Sequence, residues 1–225
     1  MQITFLGQSA YLFSHGEHAL LVDPFLMDNP AAPDQDGLRA GALGATPIAL
    51  PHGHDAHTSD AVGIAKRTGA TVIAAYELAN HIGAQGIDAV EPGAPGGSIK
   101  APFGSVTFTQ AVHSSSTGGQ YMGPACGLII EMDGKRVYHA GDTALFSDMA
   151  LIGELYSPHI AIVPIGDRFT MNPEHASRAV DLVKPSMCAI PCHYNTWPLI
   201  EVDVARFKPT SAEVRVLEPG ESMNL

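Results

Sequence analysis

Apolar residues fall in short β-branched runs separated by helical segments, an alternation that predicts an α/β fold. Residues 3–6 (Ile-Thr-Phe-Leu) predict a first strand, Gly7-Gln8-Ser9 a turn and residues 10–13 a second strand. His15-Gly16-Glu17-His18 makes a hairpin-like connection into a third strand over 18–22, which ends in Asp23-Pro24-Phe25. After the apolar run 47–50 come a histidine-rich segment, a helix over 59–66 ended by Gly69, a strand over 71–75 and a short helix over 76–82. Val106-Thr107-Phe108-Thr109 alternates as a strand with one buried face does. Residues 126–132 and 135–138 flank Asp133-Gly134, a pair that favours a type I′ hairpin turn. The C-terminal third repeats the arrangement, with helices over 149–156 and 173–183 and buried strands over 159–165 and 187–191. Residues 202–207 read as helical and 213–217 as extended. Two stretches, 27–46 and 91–104, are rich in Gly and Pro; the first reads as a long loop or lid. Residues 118–123 read as a flexible loop.

With 225 residues, 45% hydrophobic and 16% charged, the chain is long enough to bury one large core, expected as a single domain over 1–225. A net charge of −11, with only 12 Lys and Arg, argues against general attraction to nucleic acid or anionic membrane. That leaves a small-molecule substrate as the expected partner. No pattern fixes the oligomeric state, so a homo-oligomer stays open. Cys126, Cys188 and Cys192 are odd in number and lack CxxC spacing, which suits a reducing compartment rather than a disulfide framework. The N-terminus lacks a basic secretory region, and no apolar run approaches the roughly 18 residues of a spanning helix. A cytoplasmic protein is expected.

The candidate chemistry starts at Pro51-His52-Gly53-His54-Asp55-Ala56-His57. On an extended segment His52 and His54 point the same way, and a turn opening a helix brings His57 alongside. Three imidazoles from one segment suit zinc or a similar transition metal; the alternative is a histidine-rich surface turn. His113, Asp142 and His193 stand at other predicted strand ends, and Gly141 lets the backbone turn sharply before Asp142. Asp23 is either a turn carboxylate or a partner behind a ligand. Asp60 either orients a ligand histidine or caps the following helix. Arg168 is a candidate for an anionic substrate group, and Thr170, Tyr194 and Asn195 are candidates for the pocket lining, each with a structural role as its alternative. His139 reads as packed or as a partner behind a ligand. His15, His18, His81 and His159 show no partner pattern.

In order and rough spacing, His52-Gly53-His54-Asp55-Ala56-His57, His113, Gly141-Asp142-Thr143 and His193 resemble the ligand motifs of the metallo-β-lactamase superfamily. Asp23-Pro24-Phe25, the segment 166–174 and Pro191-Cys192-His193-Tyr194-Asn195-Thr196 are similar to a branch of uncharacterised metal-dependent hydrolases, relatives of ascorbate-6-phosphate lactonase and of phosphodiesterases of N-acyl phospholipids. The resemblance covers nearly the whole chain. It implies a four-layer αββα sandwich with metals at the edge between two sheets. By position, His52, His54 and His113 would hold a first metal, His57 and His193 would serve a second, and Asp142 would bridge them. The implied cofactor is one or two divalent transition-metal ions, zinc first, with manganese, iron or nickel as alternatives. One match fails: the family pattern HxHxDH has aspartate where this chain has Ala56, which offers no donor atom. Asp55 points elsewhere on such a segment. His175 stands where relatives often carry an acidic residue, although a helix-terminal histidine is the plainer reading. The expected activity is metal-dependent hydrolysis of an ester, lactone, amide or phosphodiester, impaired at the second metal. A catalytically silent metal- or ligand-binding protein is the alternative.

Overall fold

Strands whose side chains alternate between two apolar environments must be covered on both faces, and here each face has its own partner. The computed structural model of the chain describes residues 1–32 and 47–225. Strands β1 (Gln2–Phe5), β2 (Tyr11–His15), β3 (His18–Val22), β4 (Ile48–Leu50), β5 (Val72–Ala75), β6 (Val90–Gly93) and β16 (Ser222–Asn224) form one sheet, in the order β16-β1-β2-β3-β4-β5-β6. The second sheet has the order β15-β14-β13-β12-β11-β8-β7. It contains β7 (Ser98–Ala101), β8 (Gly104–Gln110), β11 (Cys126–Met132), β12 (Lys135–His139), β13 (Ile160–Pro164), β14 (Cys188–Cys192) and β15 (Glu213–Val214). Between β8 and β11 lies a small ribbon of β9 (Ser116–Thr117) and β10 (Gln120–Tyr121).

Both sheets begin as antiparallel meanders and turn parallel, the first at β3–β4 and the second at β12–β13. The carboxyl ends of β3, β4, β8, β12 and β14 therefore gather at one edge, where irregular chain can carry chemistry. Period-two alternation sorts the core. In β3, Leu20 and Val22 face the other sheet while Leu21 faces outward; in β13, Ile160 and Ile162 face in and Ala161 and Val163 face out. The outer faces are covered by helices α2 (Ala61–Thr68) and α3 (Tyr76–Gly83) on the first sheet, and by α4 (Met149–Tyr156) and α5 (Pro173–Val183) on the second. This is the expected four-layer αββα sandwich. A one-turn helix, α1 (Asp55–Thr58), lies within the histidine segment.

Several expectations need correction. The helix expected at 59–66 is α2, which runs Ala61–Thr68; the one-turn α1 ends just before it at Thr58, and Asp60 between them is bonded to another loop, as described below. The Gly- and Pro-rich stretch 91–104 contains most of β6 and all of β7; Pro92 is tolerated because β6 is an edge strand. The loop at 118–123 is largely a hairpin, with Gly118 and Gly119 at positive φ in its turn. Residues 202–207 contain only the 3-10 turn Val204–Arg206, and 213–217 only the two-residue β15. Of the expected lid, residues 33–46 lie outside the described residues. No helix among the described residues is long and apolar enough to cross a membrane.

Helices α4 and α5 meet at Gly153, where an added Cβ would stand 2.2 Å from the Val183 carbonyl oxygen. Gly153→Ala is expected to destabilise the protein by about 1–3 kcal/mol. Gly63→Ala, on the exposed face of α2 with no atom within 4 Å of the new Cβ, should be stabilising by about 0.5–1 kcal/mol. Urea unfolding of the two variants checks both signs.

Candidate metal centre

Pro51-His52-Gly53-His54 leaves β4 through a bend at Pro51 and His52, returns to extended backbone at His54, and is held on both sides. Cys126 N–H donates to the Pro51 carbonyl at 2.9 Å, tying the two sheets together at this edge. Gly53 N–H donates to Ser115 Oγ at 3.0 Å, and the Thr117 hydroxyl donates to the Gly53 carbonyl. A Cβ at Gly53 would stand 2.6 Å from Met122 Cβ, so a side chain here would push the segment away. The clamp sets His52 Nε2 3.1 Å from His54 Nδ1, and α1 brings the His57 ring to 4.2 Å from that of His52. The three rings converge as expected, but by way of a bend at Pro51 and His52 rather than a fully extended run.

The distant residues arrive from other strand ends. His113 follows β8, its loop fixed where Val112 N–H donates to Thr143 Oγ1 at 2.9 Å and Ala144 N–H to the Val112 carbonyl at 3.0 Å. Asp142 follows Gly141, whose φ of +63° and close approach to the Cys126 carbonyl, 2.4 Å from where a Cβ would be, both require glycine. His193 leaves β14 at φ 53°, with its N–H bonded to the Gln8 carbonyl at 2.8 Å.

Asp142 Oδ2 is the common point. His193 Nε2 lies 3.1 Å from it, His57 Nε2 3.3 Å, His113 Nε2 3.7 Å and His52 Nε2 3.8 Å. Tetrahedral ligands at zinc distances stand about 3.3–3.4 Å from one another, close to this spread. Among the described residues, two ligand groups have their donor atoms within 4.8 Å of one another: His52, His54 and His113, and His52, His57 and Asp142. In geometry and donor chemistry the site fits a transition metal.

Protonation is divided among the rings. Burial, reinforced by His57, pushes His52 well below the usual histidine range, and burial also lowers His54 and His113. Burial alone would lower His57 too, but Asp142 and Asp23 on its two sides raise it to about 10. Burial pushes Asp142 upward, yet His193 and His57 hold its carboxyl well below the ordinary value.

Asp23, fully buried at φ 50°, lies with Oδ2 3.0 Å from His57 Nδ1, a charge contact rather than an aligned hydrogen bond. This is the position of a partner behind a ligand. Asp60 plays neither of its expected roles, since its Oδ2 accepts Leu26 N–H at 2.6 Å and Met27 N–H at 3.0 Å, tying down the loop after β3 without a side-chain cap on α2. Buried His139 accepts Gly141 N–H at Nδ1, 3.2 Å, and presents Nε2 to the Ser9 carbonyl at 3.4 Å, so it supports the turn that carries Asp142. His175 is exposed, and its N–H is capped by Asn172 Oδ1 at 2.7 Å. Asn195 uses its side-chain oxygen to accept Val202 N–H at 2.8 Å, and Tyr194 packs against the core under α4 and α5. Arg168 is exposed, with its guanidinium 5.7 Å from the Phe169 ring centroid, and the Thr170 hydroxyl is buried without a hydrogen-bond partner.

Sequence reasoning passed over Gln8, Ser114 and Trp197. Gln8 accepts both His193 N–H, on its carbonyl, and the Thr196 hydroxyl, on its side chain. Ser114 Oγ is 3.4 Å from His54 Nε2, and the Trp197 ring stands edge-on to His193 at 6.4 Å. The proximity of each residue to a ligand in sequence was the one available signal for Ser114 and Trp197; Gln8 had none. A separate cleft of about 540 Å³, bordered by Arg178, Asp181 and Lys184, includes none of the ligand residues.

The profile of a family described as "Beta-lactamase superfamily domain" matches residues 2–193. A UPF0173 metal-dependent hydrolase of Desulforamulus reducens is 43% identical over 235 residues, covering 100% of both chains. One of Pelotomaculum thermopropionicum is 44% identical over 236 residues, with the same coverage. Igni18, described as a novel metallo hydrolase from the hyperthermophilic archaeon Ignicoccus hospitalis, superposes with a TM-score of 0.89 at 35% identity, covering 99% of this chain and 97% of that one.

The charge arrangement makes a prediction for chelator-treated protein. His57 binds its proton up to about pH 10 when folded and up to its ordinary 6.5 when unfolded. Its contribution to stability is therefore complete below pH 6.5 and is lost as pH rises toward 10. Urea midpoints measured from pH 6 to about 10 should fall along this limb, and Asp142→Asn should flatten it.

Proposed function

We propose a function for this chain from one premise: it belongs to the beta-lactamase superfamily, and within it to the UPF0173 metal-dependent hydrolases. The reading is a metal-dependent hydrolase of a small-molecule ester, lactone or phosphodiester. What carries it is the meeting of four imidazole nitrogens within 3.8 Å of one buried carboxylate oxygen, with His54 beside them. His52, His54 and His113 would hold a first ion and His57 and His193 a second, with Asp142 between them. Zinc suits this donor set first, then manganese, iron or nickel. When bound, such an ion supplies Lewis acidity, making water a usable nucleophile near neutral pH and polarising the bond under attack.

The chain's own contribution follows from where its charges sit. His52, His54 and His113 stay neutral and so keep lone pairs for an ion. Asp142 is the carboxylate that faces the donors, so it must both balance positive charge and accept the proton lost by the nucleophile. Its depressed pKa makes it a weak base, and Ala56 leaves no second carboxylate to share that role. Slower turnover than a chain with aspartate at position 56 is the consequence. Exposed Arg168 would meet an anionic group on the substrate and Thr170 a polar one, whereas Tyr194 and Asn195 would shape the loop behind them. The same alanine favours a second reading, a metal-binding protein without catalysis. Three buried free cysteines suit a reducing cytoplasm for either.

Metal analysis of the purified chain should find tight binding of one zinc per chain, with Ala56→Asp raising the stoichiometry toward two. An unchanged stoichiometry would show that position 56 is not the missing ligand. Turnover of a panel of esters, lactones and phosphodiesters should disappear in Asp142→Asn; zinc bound without turnover of any of them supports the silent reading. Asp23→Ala, which removes the carboxylate behind His57, should leave the first zinc in place and, combined with Ala56→Asp, should weaken binding of the second by about 10–100-fold in competition with a chelating dye.

A further inference from the structure

Two loops that leave neighbouring parts of the site edge, after β3 and after β14, meet through aromatic rings. Trp197, the single tryptophan of the chain, is half-buried and stands edge-on to Phe25, 6.4 Å between centroids at 76°. It stands in the same relation to the ligand-type ring of His193, also 6.4 Å and 76°. Phe25 lies two residues beyond Asp23, the carboxylate behind His57. The aromatic pair therefore adjoins the donor cluster on its His57 and His193 side. Two residues along the chain from each ring stands an exposed apolar side chain: Met27 is 53% exposed and Leu199 54% exposed. Neither 23–32 nor 193–205 contains a lysine or arginine, while Asp28, Glu201 and Asp203 place negative charge along them.

Exposed apolar surface that continues into a polar centre is the usual composition of a small-molecule site. A phosphate or other polyanion over these rings would find no cation on residues 23–32 or 193–205 and would face carboxylates. An uncharged hydrocarbon group loses nothing by that and gains by leaving water.

We propose that Trp197, backed by the buried Phe25 ring, forms the wall that takes the apolar part of the substrate, which is then an ester, lactone or amide carrying an uncharged aliphatic or aryl substituent. The assignment rests on the hydrolase reading above for its reaction, and on the ring contacts for its specificity. A substituent lying on Trp197 has its adjoining carbonyl beside His193. Trp197 binds; the chemistry stays with the donor cluster.

The test needs no turnover, so it separates this proposal from the hydrolase reading. Full-length zinc-loaded chain is titrated with acetate, hexanoate and phenylacetate, the acid halves of such esters, following the emission of the one tryptophan and the heat of binding. Hexanoate and phenylacetate should bind about tenfold more tightly than acetate, as expected for partial burial of the added carbons, and should shift the emission to shorter wavelength, whereas acetate should not. In Trp197→Ala with zinc content unchanged the advantage should collapse, and Trp197→Phe should restore most of it. Equal affinity for the three acids, an emission that fails to move with hexanoate, or an advantage that survives in Trp197→Ala overturns the proposal. Should Trp197→Ala not fold, the affinity series and the emission of the unaltered chain decide.

Discussion

The site depends on one buried negative charge. Asp142 is almost fully buried, and a carboxylate in that position is tolerated only if positive or hydrogen-bonding partners replace the water it has lost. Its surroundings are imidazoles, which cannot all be protonated because their charges would repel one another at these separations. The result is a division of labour. His57, between Asp142 and Asp23, takes the proton, while His52, His54 and His113 are driven neutral and keep their lone pairs. An ionised carboxylate beside imidazoles that keep their lone pairs is the combination that attracts a small cation.

The fold concentrates this charge by turning strands sharply off a shared edge. Asp23 after β3, Gly141 after β12 and His193 after β14 all adopt positive φ, so each strand leaves the sheet abruptly, with Asp23, His193 and the Asp142 that follows Gly141 gathered at the site. Only one of the three is glycine. The other two are L-residues with a side chain in a region that costs roughly 1–2 kcal/mol, and tertiary contacts hold them there. Asp23 N–H donates to the Ala49 carbonyl on the neighbouring strand, and His193 N–H donates to the carbonyl of Gln8 in the turn between β1 and β2. The second bond crosses from one sheet to the other, as does that from Cys126 to Pro51. The edge where the chemistry sits is thus also where the two sheets are fastened together.

How much of this could be read from the sequence depended on how local its cause was. Helices α4 and α5 lie where expected, with Pro173 and the Asn172 cap marking the start of the second. The Asp133-Gly134 hairpin also matched, with both residues at positive φ. Edge strands β6 and β7 were missed because strands with one solvated flank carry little apolar signal, and their stretch stands out only for its Gly and Pro. In the site, the HxHxxH segment could be read from alternation alone, but joining it to His113, Asp142 and His193 took the family resemblance. What neither supplied were roles set by tertiary contact, such as Asp60 tethering Leu26 and Met27, or His139 supporting Gly141.

Ala56 makes the two halves of the centre unequal. The first half has three imidazoles that burial keeps neutral, and it shares Asp142. The second has His57 and His193 and shares the same carboxylate, so two divalent ions would divide one negative oxygen between them. At the roughly 3.5–4 Å typical of paired sites, repulsion between the ions is offset chiefly by bridging and terminal carboxylates, and here the terminal one is absent. Asp23 compensates only at one remove, since its charge reaches the second position through the His57 ring. Before His57 can act as a ligand, an ion must also displace the proton that Asp23 and Asp142 both favour. On the proposed reading the first position would fill before the second, and the strength of the second would be set by a residue that never touches the metal.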